Sequence, residues 1–186
     1  MDDAAERFTA IYDEHYRKVL AYLLTRADRQ VAEDLAAETF LVVWRRLGVV
    51  PEEPLPWLLG VARNMWRGQV RASGRRQALA GPVRALSGAD DLTGHDMADE
   101  IVEGSEVRLA LATLSEPDRE ALTLVAWLDL APRDAAKVVG CAPATFLVRL
   151  HRARRRLERA LRARRGPSRD AERAEPASAI ARKEPA

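Results

Sequence analysis

Between Gly140 and Arg165 the sequence reads GCAPATFLVRLHRARRRLERALRARR, and from Arg149 onward it holds nine arginines against a single acid, Glu158. Arginine stays charged and offers a planar fork of donors that matches phosphate oxygens, so the chemistry open to this stretch is non-covalent capture of a polyanion. Pro143 stands where a helix's first residue would, and no Pro or Gly follows until Gly166. Phe146, Leu150, Ala153, Leu157, Ala160 and Leu161 keep an apolar stripe through the arginines, which predicts one long helix docked along one face. A solvated charged face would account for the arginines alone. The preceding APRDAAKVVG favours more: it is a short apolar-patterned helix candidate ending at Gly140, followed by a three-residue turn. Short helix, tight turn and basic second helix is the helix-turn-helix plan.

Charge is segmented along the chain. The net value is only +2, yet Arg63, Arg67, Arg71, Arg75 and Arg76 crowd one stretch without an acid, and residues 87–106 hold seven acids and no Lys or Arg. Two cationic segments joined by an anionic strap suggest two contacts with one polyanion, the strap being kept off both. At 186 residues, 47% hydrophobic and 31% charged, the chain is long enough for two small helical domains. The single cysteine, Cys141, has no partner for an internal disulfide and no Cys or His at ligand spacing, so neither a zinc site nor any other cofactor is expected. It reads as a small buried turn residue. No apolar run approaches the roughly 20 residues of a membrane span, and MDDAAERF lacks the basic start and apolar middle of a signal peptide, so a cytoplasmic location is expected.

The elements that must position the cations are helical throughout. Residues 6 to about 26 place Phe8, Ile11, Tyr12, His15, Tyr16, Val19, Leu20 and Leu23 at helical spacing, with His15 expected as a satisfied core residue. A second helix, about Gln30 to Leu47, carries two neighbouring apolar stripes, Val31, Leu35, Thr39 and Val42 beside Ala32, Ala36, Phe40, Val43 and Leu47. That circumference is served either by burial within the domain or by a protein partner's groove. Pro51, Pro54 and Pro56 then stiffen a loop before a third helix starting at Trp57, which bears Arg63, Asn64, Arg67 and Arg71. Asn64 could read a base edge, and Trp66 either stacks on an unpaired base or belongs to the core. Residues 77–104 read as an acidic linker containing His95. Helical patterning resumes near Val107, stops at Ser115, a good N-cap, restarts through Pro117 and Leu122 to Asp129, and leads into the helix-turn-helix. The expected organisation is therefore all-α: a helical domain over 1–76, the flexible acidic linker over 77–104, a helix-turn-helix domain over 105–165 and a disordered tail over 166–186.

Taken together, AEDLAAETFLVVW (Ala32 to Trp44), WLLGVARN (Trp57 to Asn64), LATLSEPDREALTL (Leu111 to Leu124) and GCAPATFLVRLHRAR (Gly140 to Arg154) resemble regions 2 and 4 of the extracytoplasmic-function (ECF) group of bacterial RNA polymerase sigma factors, over about residues 8 to 162. The resemblance implies a promoter-specificity subunit and no catalysis. It implies that Asp34, Leu35, Glu38, Thr39 and Phe40 dock on the clamp of core polymerase's largest subunit, with the flap of the second subunit a further contact. Asn64, Trp66, Arg67 and Arg71, with the loop from Val50 to Leu55, would capture and open the −10 element. Thr145, Arg149, Arg152 and Arg154 would read the −35 element in the major groove, and the acidic linker would thread near the active-site and RNA-exit channel. An anti-sigma factor is a further candidate partner. A stand-alone helix-turn-helix regulator is the other reading of the same motifs.

Four positions depart from the family's pattern. Ala37 stands where Gln is usual, Gly68 where Asp is usual, and Ala142 where a Ser cap is usual. In the recognition helix the usual Thr-Val-Lys-Ser-Arg run becomes Thr145, Phe146, Leu147, Val148, Arg149, replacing a cation and a hydroxyl with apolar groups. A different base preference is expected from that change.

Overall fold

A computed structural model describes residues 2–79 and 106–165; the acidic linker from residue 80, His95 and the tail from 166 lie outside the described residues. Seven α-helices make up the fold among the described residues, without a strand. Helices α1 (Asp2–Leu24), α2 (Arg29–Arg45) and α3 (Leu55–Leu79) form the first unit, with a short 3-10 turn at Leu47–Val49. Helices α4 (Glu106–Ala112), α5 (Glu116–Leu122), α6 (Pro132–Val139) and α7 (Pro143–Arg165) form the second.

Apolar spacing explains each packing face. On α1 the buried residues Ile11, His15, Val19, Tyr22 and Leu23 recur every three to four positions. On α2 the buried set is Ala32, Leu35, Ala36, Thr39, Phe40 and Val43, and α3 contributes Leu58, Leu59 and Ala62. Asp28 caps α2 by accepting from the Val31 N–H at 2.9 Å. Buried Thr39 stays compatible with the core because its hydroxyl donates to the Leu35 carbonyl at 2.7 Å. In the second unit α7 packs against α4, α5 and α6, presenting Phe146, Leu150 and Ala153. The two units also pack directly on one another, α6 against α3, so that their buried apolar residues form one continuous cluster.

Several local features differ from the sequence expectation. Helix α3 runs through Ser73 and Gly74 to Leu79, three residues past the expected boundary at 76. A helix-interior glycine costs only about 1 kcal/mol, which good helix formers on either side offset. The helix from Ser115 does not continue as α-helix to Asp129: it passes into a π turn at Thr123–Trp127, and Asp129 takes a positive φ of 52°. Ser115 occupies the N-cap position of α5 without a side-chain hydrogen bond. Cys141 is half-buried against the core rather than enclosed. The turn before α7 is as the sequence suggests: Gly140 closes α6 at φ 72°, in the left-handed region where a side chain is strained.

His15 is buried as expected but not satisfied, since Nδ1 has no hydrogen-bond partner. Burial lowers its pKa below 6.5, the neighbouring Glu14 carboxylate raises it and Lys18 lowers it, the net shift being downward. The unfolded chain then takes up a proton in a pH range where the folded chain does not, so stability falls as pH drops below about 6.5. His15→Leu is expected to shrink the loss of urea midpoint between about pH 7.5 and 5.5; an unchanged loss would assign that pH dependence to other groups.

Candidate nucleic-acid interface

Exposure sorts the three groups of residues singled out in the sequence. On α7, Thr145, Arg152 and Arg154 are exposed and Arg149 is half-exposed, opposite the buried Phe146, Leu150 and Ala153. Thr145, Arg149 and Arg152 come together with Val148 and Arg156 around an open depression floored by Asp118 of α5. Arg154 lies outside it. Arg156 donates to the buried Asp118 carboxylate, so one arginine of the basic run serves as a tie between α7 and α5.

On α3, Asn64, Arg67 and Arg71 are exposed along one strip, at the spacing of successive helical turns. Trp66 is half-buried and packs against the core, so its ring is mainly structural. On α2 the expected set divides. Asp34 and Glu38 are exposed, whereas Leu35, Thr39 and Phe40 are 6%, 0% and 3% exposed and belong to the chain's own core, where no partner reaches them without unpacking the domain. Helical geometry explains the correction, because Leu35, Thr39 and Phe40 share the stripe that faces α1 and α3. The face left outward carries Asp34, Ala37, Glu38, Leu41 and Trp44. Leu41 and Trp44 are 53% and 51% exposed, and Trp44 meets Phe8 of α1 edge-on at 5.2 Å, beside the 37% exposed Tyr12. Leu41 and Trp44 were not singled out from sequence; their spacing of three and six from Glu38 was the available signal.

A buried charge cluster joins the two units. Glu120, on α5, is 2% exposed and accepts from the Tyr22 hydroxyl at 2.7 Å and from Arg63 Nε and Nη2 at 2.9 and 3.1 Å. Arg26 approaches the same carboxylate at 3.2 Å and lies over the Tyr22 ring at 3.8 Å. Burial pushes the Glu120 pKa up, but the Arg63 hydrogen bonds, the Arg26 charge and the Tyr22 hydroxyl outweigh it and hold the carboxyl below its ordinary value. Burial opposes the Arg63 cation as well, and its bonds to Glu120 reverse that, raising its pKa. Burial also raises the Tyr22 hydroxyl, which therefore remains a donor. Arg63, counted in the sequence with the cationic surface of α3, is thus committed to the fold.

Two DNA-sized cationic strips on a packed all-α scaffold, one of them on a helix-turn-helix, define a nucleic-acid-binding protein. Residues 11–76 match the family described as Sigma-70 region 2, and residues 105–157 match Sigma-70, region 4. The chain is 35% identical over 135 residues to the ECF RNA polymerase sigma factor EcfG of Rhodopseudomonas palustris, covering 70% of each chain. It is 33% identical over 159 residues to a probable RNA polymerase sigma-C factor of Mycobacterium bovis, covering 81% of this chain and 80% of that one. Among solved structures it resembles the sigma factor RpoE of Bartonella quintana, crystallised with the anti-sigma factor NepR, at 25% identity and a TM-score of 0.63 over 83% of this chain and 96% of that one. The chain belongs to the ECF family of RNA polymerase sigma factors.

Removing the Glu120 carboxylate leaves two arginines and a tyrosine hydroxyl facing a closed interface. Glu120→Ala is expected to cost about 3–5 kcal/mol of unfolding free energy in urea, the range for breaking one side of a buried ion pair. A cost under about 1 kcal/mol would mean that the cluster contributes nothing net to the fold. Because the Glu120 pKa is lowered, the contribution is complete above about pH 4.5 and is lost as the solution is acidified through the folded value.

Proposed function

We propose that the chain carries core RNA polymerase to promoters by reading two separate DNA elements, α7 taking the upstream −35 duplex and α3 the −10 element that opens. The observation that carries this reading is the pair of exposed strips, Asn64, Arg67 and Arg71 on α3 and Thr145, Arg149 and Arg152 on α7, in one chain of the sigma family. Arginine contacts to phosphate fix position and a few side chains read base edges. Opening draws on trapping unpaired bases against the protein, for which the part-exposed edge of Trp66 is available. All of this is binding, with no bond made or broken in the chain itself.

The proposed polymerase-facing surface is the outward side of α2. Asp34, Glu38, Leu41 and Trp44 offer an apolar centre rimmed by acids, the composition of a protein-binding patch. An anti-sigma factor is a second occupant for the same chain, since the Bartonella quintana relative was crystallised with one. No helix among the described residues is long and apolar enough to cross a membrane.

Run-off transcription with core polymerase on genomic fragments tests the proposal. Start sites that appear only when the chain is added are expected; start sites indifferent to it, or tight duplex binding that core polymerase leaves unchanged, would instead favour a stand-alone regulator. Trp44→Ala combined with Leu41→Ser is expected to weaken core binding by about tenfold or more, as loss of a central aromatic contact does, with the thermal midpoint nearly unchanged because both side chains are exposed. Undiminished core binding by that variant would move the docking surface elsewhere.

A further inference from the structure

Two side chains on the DNA-facing arc of α7 have chemistry that the arginines around them do not share. Leu147 and Val148 are 51% and 50% exposed, in the first two turns of the helix, where a recognition helix meets base edges. Val148 lines the same depression as Thr145, Arg149 and Arg152, and Leu147 follows on the next arc of the helix about 100° away. The core stripe of α7 runs through Phe146, Leu150 and Ala153 on the opposite side, so neither residue serves packing within the unit. Such a pair in the midst of a strongly cationic surface needs an apolar counterpart to be dehydrated favourably.

The major groove offers one apolar feature, the C5-methyl group of thymine; every other distinguishing group there is a hydrogen-bond donor or acceptor. An apolar side chain set against the amino group of adenine or cytosine, or against guanine O6, would strip water from a polar group and return nothing. We propose that Leu147 and Val148 are specificity-determining residues that contact thymine methyl groups in the duplex element bound by α7. The proposal rests on the reading of α7 given above and narrows it. The element holds one or two thymines next to the base pair taken by Arg149 or Arg152, whose preferred partner is guanine.

The test uses the full chain with core polymerase. The upstream element is first defined by selecting bound duplexes from a randomised library, and each thymine in it is then replaced by deoxyuridine, which removes the methyl and leaves every hydrogen-bonding group in place. Affinity is expected to fall about fourfold for each contacted methyl, the ratio that burying one such carbon gives, at one or two positions only. In Leu147→Ser combined with Val148→Ser that penalty disappears, while the dependence on salt that reports phosphate contacts persists. Equal affinity for thymine and uracil duplexes, with Arg152→Ala still weakening both, overturns the methyl reading alone. The same uracil penalty in wild type and in the double serine variant overturns it too, because the methyls are then read by other residues. Indifference of upstream-element binding to Arg152→Ala removes the reading of α7 and this inference with it.

Discussion

Glu120 is the point on which the arrangement turns. A carboxylate at 2% exposure is tolerated only when several donors converge on it, and here they come from outside its own unit: Tyr22 and Arg26 from the end of α1, and Arg63 from α3. The cluster therefore specifies which face of the helix-turn-helix unit meets the first unit. Apolar contact between α6 and α3 would stabilise many registers, whereas the bidentate Arg63 bond accepts only one. Removing one partner costs more than the bond itself is worth, since the remaining charges stay at the interface.

Buried carboxylates also decide which arginines remain for DNA. Glu120 takes Arg63 out of the basic strip on α3, and Asp118, at 4% exposure, takes Arg156 out of the run on α7. What is left exposed on each helix is a short strip: Arg67 and Arg71 with Asn64 on one, and Arg152 with Thr145 and the half-exposed Arg149 on the other. Both strips combine cations with a hydrogen-bonding side chain, a mixture suited to holding a backbone while sampling a base edge. A raw count of charge overstates the phosphate contacts available, and a salt-dependence slope for either helix will reflect the smaller number.

The helices, the turn at Gly140 and the apolar stripe of α7 were legible in the sequence because each rests on local spacing and on residues with strong backbone preferences. So were the exposed positions of Asn64, Arg67, Arg71, Thr145 and Arg152. Less legible was anything that depends on a partner distant in sequence. Arg63 and Glu120 are 57 residues apart, and nothing in either local pattern marks them as a pair. The same limit explains α2. Two apolar stripes were visible, but which one faces α1 and α3 is set by tertiary packing, so Leu35, Thr39 and Phe40 were assigned outward while Leu41 and Trp44 went unremarked. The π turn at Thr123–Trp127 likewise leaves no mark in the spacing, since Leu124 and Leu128 suit either helix type.

The central claim is that one chain reads two DNA elements through two different helices while polymerase holds it. Footprinting of the complex of core polymerase and this chain on a promoter addresses it most directly, with permanganate to report unpaired thymines. Two separated protected segments are predicted, with reactive thymines only in the downstream one; Arg152→Ala should remove the upstream protection and Arg67→Ala the downstream opening. A single protected segment, or the same loss from both variants, would contradict the account.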